Sequence, residues 1–143
     1  MGQATTSEIF NAPLEKVFKV ISNYNSYPEF LTDIKRVSVL ESSGPRKLVE
    51  FELHVIKRFR YQLWLAENPN EEVSWTFHSG EIFKENTGSW KLKDLGDGRT
   101  HADYSIVAKF GVFVPGMIEK MLIEVNLPVM MKSFKKQIEA NNS

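Results

Sequence analysis

Residues 50–65 read EFELHVIKRFRYQLWL and carry the pattern from which the fold is predicted. Apolar side chains occupy most of its odd-numbered positions, from Phe51 to Leu65, and polar or charged ones most of its even-numbered positions. Because successive side chains of a β-strand point to opposite faces, this alternation predicts a sheet with one apolar and one polar face. The alternation recurs at residues 73–77 and, with reversed parity, at residues 104–108. The apolar face is rich in aromatic residues and nearly free of ionisable groups, so it suits an apolar ligand better than proton-transfer chemistry.

Length and composition narrow the class of protein. A chain of 143 residues is long enough for one domain, predicted to span residues 1–143, and to bury roughly 70% of its unfolded surface. Eighteen basic and eighteen acidic residues give zero net charge, so no nucleic-acid partner is expected. The lack of cysteine excludes disulfides and thiolate metal sites. We find no signal-peptide pattern and no apolar run of ~18 residues, and therefore expect a cytoplasmic protein without a transmembrane segment. Transient membrane contact and the oligomeric state are left open.

The order of elements predicts an α+β fold. A first strand at residues 4–10 precedes a helix that starts at Pro13 and a short second helix at residues 27–31. A long C-terminal helix covers residues 115–140, and Pro128 should kink it. The remaining strands are predicted at residues 34–41, 47–56, 59–68, 72–78, 87–93 and 100–110. Turn residues separate most of them, but the boundary near Lys57 and Arg58 has no Gly, Asn or Pro. We expect a curved antiparallel sheet of about seven strands wrapped around the C-terminal helix, with two short helices after strand 1.

Particular residues add a family resemblance to this pattern. Ala12-Pro13 and Val17-Phe18 lie in the first helix, and the run Tyr27-Pro28-Glu29-Phe30-Leu31 precedes a strand that contains Val37; further matches are Ser89-Trp90, Gly98, Tyr104 and Phe134. With these residues the chain resembles the START-like (SRPBCC, helix-grip) superfamily, in the branch of polyketide cyclase/dehydrases and coenzyme-Q-binding START proteins. The resemblance implies a hydrophobic cavity between the sheet and the C-terminal helix, used to carry, sense or cyclise apolar molecules.

The predicted cavity takes its lining from the apolar strand faces and from the C-terminal helix. The candidates for contact with a ligand are Val49, Phe51, Leu53, Tyr61, Leu63, Trp75, Phe77, Trp90, Leu92, Tyr104, Ile106, Met117, Met121 and Val125. Tyr61, Thr76 and Tyr104 are the candidate polar groups that would orient a ligand. Glu29 and Phe113 are the candidate gate residues.

Catalytic and metal-binding patterns are not found in the sequence. The three histidines, His54, His78 and His101, are predicted to face solvent, and no ligand spacing joins them. The glycines do not have the spacing of a phosphate-binding loop. We therefore predict no catalytic residue, no metal and no cofactor, and the sequence favours binding over catalysis without deciding between them.

Three functions compete at this point. The leading hypothesis is the binding or carriage of a small hydrophobic ligand, such as a lipid, a quinone or a polycyclic, polyketide-like molecule. An alternative from the same resemblance is a polyketide cyclase or aromatase-like enzyme. A second alternative is a ribosome-interacting, toxin-like protein, which would act through the basic cluster of Lys57, Arg58 and Arg60.

Overall fold

The fold is built on one curved antiparallel sheet. The computed structural model describes residues 2–55 and 57–140; Ile56, the predicted end of the third strand, lies outside the described residues. Within them the sheet has seven strands in the order β1-β7-β6-β5-β4-β3-β2. The strands are β1 Gly2–Phe10, β2 Ile34–Ser43, β3 Arg46–Val55, β4 Lys57–Asn68, β5 Glu72–Gly80, β6 Phe83–Asp94 and β7 Thr100–Phe110. The predicted helix-grip architecture is confirmed.

Strands β2 to β7 form a meander, and β1 forms one edge of the sheet by pairing with β7. The largest difference from the predicted boundaries lies in β6, which begins at Phe83 rather than at residue 87. Its register shifts between Phe83 and Glu85, as expected for a β-bulge. The shift changes the parity of the strand, so the apolar alternation that identifies Trp90 cannot be followed back to Phe83.

The helices lie in two groups. The first group is α1 Leu14–Ser22, a single 3₁₀ turn at Tyr24–Ser26, and α2 Tyr27–Phe30. The second is the C-terminal helix, which consists of α3 Gly116–Lys120, a π-helical turn at Met121–Val125, and α4 Asn126–Glu139. The sequence predicts one α-helix kinked at Pro128, but the regular pattern changes one turn earlier. Proline lacks an N–H and crowds the carbonyl four residues before it, which disfavours a regular α-helical turn ahead of Pro128.

Aromatic side chains fill one end of the space between the sheet and the C-terminal helix. The ring of Phe134 lies 5.3 Å from that of Tyr27, 5.1 Å from that of Phe30 and 5.1 Å from that of Trp90, measured between centroids. Tyr27 also donates its hydroxyl hydrogen to the backbone carbonyl of Ile21 in α1. These contacts tie α1, α2, the sheet and α4 into one solid core, and the remaining space lies along the middle of the C-terminal helix.

Candidate functional site

The candidate site is a cavity of about 200 Å³ between the inner face of the sheet and the C-terminal helix. Most of its lining is aromatic or aliphatic, with polar groups at a few positions. The lining residues are Tyr27, Leu31, Thr32, Asp33, Ile34, Phe51, Leu53, Tyr61, Leu63, Leu65, Val73, Trp75, Phe83, Asn86, Trp90, Tyr104, Ile106, Phe110, Leu122, Ile123, Asn126, Leu127, Val129, Met130, Ser133 and Phe134.

Strand alternation places most of the predicted strand residues at this cavity. Those that line it are Phe51, Leu53, Tyr61, Leu63, Trp75, Trp90, Tyr104 and Ile106. Three other strand residues on the apolar face do not reach it. Val49 is wholly buried in the solid core, and Phe77 and Leu92 are partly buried against that core. The alternation gives the face of a residue correctly, but it does not tell where along the strand the core is filled.

The predicted helix residues do not line the cavity. Met117 and Val125 are 62% and 52% exposed, and Met121 packs against the smaller apolar cluster around Ile118. The prediction assumed a continuous α-helical period, which sets these residues on one face. The π-helical turn changes that period, and the cavity is instead lined by Leu122, Ile123, Asn126, Leu127, Val129, Met130, Ser133 and Phe134.

Two of the three predicted orienting residues lie in the cavity, and both predicted gate residues lie outside it. Tyr61 and Tyr104 are lining residues. Thr76 is exposed, because its neighbours in β5 point inward and its own side chain must therefore point outward. Glu29 is exposed on α2, and Phe113 is 96% exposed in the loop before α3.

The two tyrosines are neutral hydrogen-bonding groups in an apolar setting. The Tyr61 ring stacks on Phe51 at 5.4 Å, and the Tyr104 ring meets the edge of Trp90 at 4.9 Å. Burial raises the pKa of Tyr61, and burial followed by the influence of Tyr61 raises the pKa of Tyr104. Neither hydroxyl has a hydrogen-bond partner among residues 2–55 and 57–140. Each can therefore offer an O–H to a bound molecule.

Asn86 is a lining residue that the sequence pattern did not reveal. It is only 4% exposed, and its Oδ1 accepts a hydrogen bond of 2.9 Å from Nε1 of Trp75. The predicted strand began one residue after Asn86, which left this residue in a turn. The parity it shares with Trp90 and Leu92 could have placed it on the inner face of the strand.

The mouth of the cavity lies between the loop before β2 and α4. Thr32 and Val129 are exposed members of the lining and mark where the cavity reaches solvent. Asn126 and Ser133 add polar groups on the side of α4. Asp33 is the only charged side chain in the described lining, which contains no lysine, arginine or histidine. The interior therefore offers hydrogen bonds without a countercharge.

The outer face of the sheet carries the charges. Glu52 lies 3.0 Å from His54 Nε2, 3.7 Å from Arg58 Nε and 3.5 Å from Arg60 Nε. The hydrogen bond with His54, together with the charge of Arg58, holds the pKa of Glu52 below its ordinary value. The predicted basic cluster of Lys57, Arg58 and Arg60 is thus partly neutralised by a carboxylate, which does not favour RNA contact through this surface.

The other two histidines also lie on the outer face. His78 is exposed and meets the edge of the Trp64 ring at 6.2 Å. His101 Nδ1 lies 3.7 Å from Asp103, and the hydroxyl of Ser7 donates to that same carboxylate. Activation of a serine requires a hydrogen bond to a base such as histidine, so this arrangement is not that of a nucleophilic triad. In the part of the chain that the structure describes, no three acidic or histidine side chains are grouped as metal ligands.

A known protein family matches the chain over most of its length. The model of the family described as polyketide cyclase / dehydrase and lipid transport matches residues 10–135. The chain belongs to this family. No curated protein matches its sequence at a significant level. None of the described helices has both the length and the apolar character that crossing a membrane requires.

Solved structures with the family's fold superpose on nearly the whole chain. A START superfamily protein from Mycobacterium smegmatis has a TM-score of 0.84 at 16% identity, over 96% of this chain and 97% of that one. A protein from Thermus thermophilus has a TM-score of 0.86 at 15% identity, over 99% and 100%. The Zhui aromatase/cyclase from Streptomyces sp. R1128 has a TM-score of 0.84 at 15% identity, over 99% and 96%. At these identities the likeness establishes the fold alone.

Proposed function

We propose that the protein binds a small, mostly apolar molecule in the cavity between its sheet and its C-terminal helix. The observation that carries this proposal is the cavity itself, about 200 Å³ of space with an aromatic and aliphatic lining. A dry apolar cavity of ~150 Å³ holds a benzene molecule, so this one has room for about one or two rings. A larger ligand would extend through the mouth near Thr32 and Val129.

Burial of apolar surface supplies the binding energy. A ligand that removes ~200 Å² of apolar surface from water gains about 5 kcal/mol, before the costs of association are subtracted. The neutral hydroxyls of Tyr61 and Tyr104 would orient it. The family description, which includes lipid transport, agrees with a carrier role. Binding of coenzyme Q and a cytoplasmic location remain predictions from the sequence.

Cavity filling tests the proposal. Purified wild-type protein is titrated with tetralin, a neutral bicyclic hydrocarbon, and binding is followed by isothermal calorimetry and by thermal unfolding. We expect saturable binding and a rise in Tm. Ile106→Trp fills the cavity from β7 and should weaken binding by at least about tenfold. Leu40→Trp, at an exposed position of β2, is the matched control and should bind like the wild type.

Two results of this experiment would contradict the proposal. If neither tetralin nor any member of a panel of lipids and quinones binds to the folded wild-type protein, the proposed function is wrong. If Ile106→Trp retains its native circular dichroism and binds with unchanged affinity, the ligand lies elsewhere.

A cyclase or aromatase activity is the second candidate. It is favoured by the unpartnered hydroxyls of Tyr61 and Tyr104, which can polarise a ketone through hydrogen bonds. Its test is incubation with a thioester mimic of a linear poly-ketone, with products separated by mass spectrometry. The enzyme hypothesis requires that the protein change the rate or the ring pattern of cyclisation, and that Tyr61→Phe or Tyr104→Phe reduce this effect. Cyclisation at the uncatalysed rate would exclude it for this substrate class.

A further inference from the structure

We propose that Asn86 is a specificity-determining residue, whose amide N–H groups bind the carbonyl oxygen of an uncharged ligand such as a ketone, a quinone or an ester. This inference rests on the proposed function, since it names the chemical class of ligand that the same cavity selects.

The orientation of the Asn86 amide follows from its partner. The indole N–H of Trp75 is only a donor, so the atom of Asn86 that lies 2.9 Å from it must be the oxygen. The amide nitrogen therefore points away from Trp75 with two hydrogens. Asn86 is a buried lining residue, and no other partner for its side chain is found among residues 2–55 and 57–140. Among the described residues, the one side-chain N or O atom that is fully buried without a partner is Nζ of Lys16, so the Asn86 nitrogen is open to the cavity, where a ligand carbonyl can accept from it.

The sheet holds Trp75 rigidly in this position. Gly88 is the register partner of Trp75 across β5 and β6. A Cβ atom at Gly88 would lie 2.4 Å from Cζ2 and 2.8 Å from Cε2 of the indole, closer than atoms can approach. The absence of a side chain at Gly88 thus allows the indole to lie against the strand, where the Tyr104 ring meets it at 5.5 Å. The amide is set in place before a ligand arrives, as specific recognition requires.

The charge balance of the cavity favours an acceptor without a charge. Asn86 offers only donors, and Tyr61 and Tyr104 each add a neutral O–H. No lysine, arginine or histidine is among the described lining residues, so a ligand carboxylate or phosphate would be buried without a countercharge. A carbonyl oxygen accepts two hydrogen bonds and carries no net charge, which matches this set of donors.

Two ligands of nearly equal shape test the proposal. 1-Tetralone carries one carbonyl group, and tetralin carries none. We expect the wild-type protein to bind 1-tetralone about tenfold more tightly than tetralin, the effect of roughly one good hydrogen bond. Asn86→Asp keeps the shape and the acceptor for Trp75 but replaces the NH₂ group by oxygen. It should abolish the preference for 1-tetralone, whereas Thr87→Asp, at an exposed position of the same strand, should retain it.

NMR of the wild-type protein tests the proposal even if the Asn86→Asp variant fails to fold. In wild-type protein labelled with ¹⁵N, 1-tetralone should shift the side-chain NH₂ resonances of Asn86, and tetralin should shift them much less. The proposal is overturned if the wild type binds the two ligands equally, if Asn86→Asp keeps the preference, or if the NH₂ resonances respond alike to both. In each of these cases tetralin still binds and the proposed function stands. Absence of binding by both ligands and by the whole panel of lipids and quinones would instead reject the proposed function.

Discussion

The two halves of the C-terminal helix differ in how they meet the sheet. In the second half, Met131, Phe134 and Ile138 are buried in the solid core. In the first half, Met117 and Val125 are more than half exposed, and the helix includes a π-helical turn. Both halves carry apolar residues, so the presence of such residues does not separate them. The difference lies in what packs against each half: aromatic rings fill the space around Phe134, and the cavity extends from there along the middle of the helix to Leu122.

This contrast has a consequence for the function. The packed half fixes the helix to the sheet and to β1, where Lys135 donates to the carbonyl of Ile9 at 2.7 Å and Glu139 accepts from the N–H of Asn11 at 2.8 Å. The first half contributes Leu122 and Ile123 to the cavity lining, and no residue of its π-helical turn is buried. A ligand can therefore contact a part of the helix whose rearrangement leaves the core intact.

The largest effect is expected at Phe134. Phe134→Ala removes a ring that contacts Tyr27, Phe30 and Trp90, and it should lower the free energy of unfolding by about 3–5 kcal/mol. Urea unfolding followed by tryptophan fluorescence measures the change. Val125→Ala, in the first half of the helix and 52% exposed, is the control and should cost under about 1 kcal/mol. Equal losses for the two variants would show that the halves do not differ in packing.

Rates of amide hydrogen exchange in the wild-type protein should also distinguish the first half of the helix from the second. Amides of the π-helical turn Met121–Val125 lie where few side chains are buried, so local opening there needs less energy than in the core. We expect them to exchange at least about tenfold faster than amides near Phe134 and Ile138. A saturating apolar ligand should reduce this difference in exchange rate. Uniform protection along the whole helix in the free protein would contradict the comparison.

A pH-dependent contribution is expected from Glu139. Burial acts to raise its pKa, but the hydrogen bonds from the Asn11 N–H and from Lys135 outweigh burial, and its pKa lies below the ordinary value. A carboxyl with a lowered folded-state pKa contributes stability above its unfolded pKa, and this contribution disappears as pH falls through the folded pKa. Glu139→Gln should therefore cost about 0.5–1 kcal/mol at pH 7, and this cost should fall at an acidic pH below the folded-state pKa, as measured by urea unfolding at the two pH values.

The control for this prediction lies in the first half of the helix. Glu124 pairs with Lys120 at 3.9 Å, and both side chains are exposed. Glu124→Gln should change the free energy of unfolding by under about 0.5 kcal/mol at either pH. A cost for Glu139→Gln that does not depend on pH would mean that its hydrogen bonds matter but its charge does not.

The sequence predicts much of this molecule because alternation in strands is a local property. The period-two pattern of residues 50–65 places Phe51, Tyr61 and Leu63 on the inner face, and these residues line the cavity. Turn residues mark most of the boundaries between the strands, although not the one between β3 and β4, and the resemblance to the START-like superfamily is confirmed by the family match. The face of the sheet on which a side chain lies is set by its position in its own strand, so the sequence alone predicts that face.

The incorrect predictions arise where the periodicity of a strand or helix is interrupted, or where side-chain packing determines whether a residue reaches the cavity. The predicted β6 began at residue 87 and so left out Asn86, and a π-helical turn moves the lining of the helix away from Met117 and Met121. Val49 illustrates the second cause, since it faces inward as predicted but lies where the core is solid. Whether side chains fill the space beside a residue depends on the shapes of residues from several elements at once. The periodicity of one segment does not contain that information.

The smallest effect is expected at the exposed apolar residues of the first half. Met117→Gln and Val125→Thr keep the approximate shape of each side chain and replace apolar groups that are already 62% and 52% exposed. The free energy of unfolding should change by under about 0.5 kcal/mol, and tetralin affinity should stay within about threefold of the wild type, because neither residue lines the cavity. A loss above about 1 kcal/mol that grows with protein concentration would show that these side chains are covered by a second copy of the chain in solution. The first half of the helix would then be fixed by an interface, and its difference from the packed half would belong to the isolated chain only.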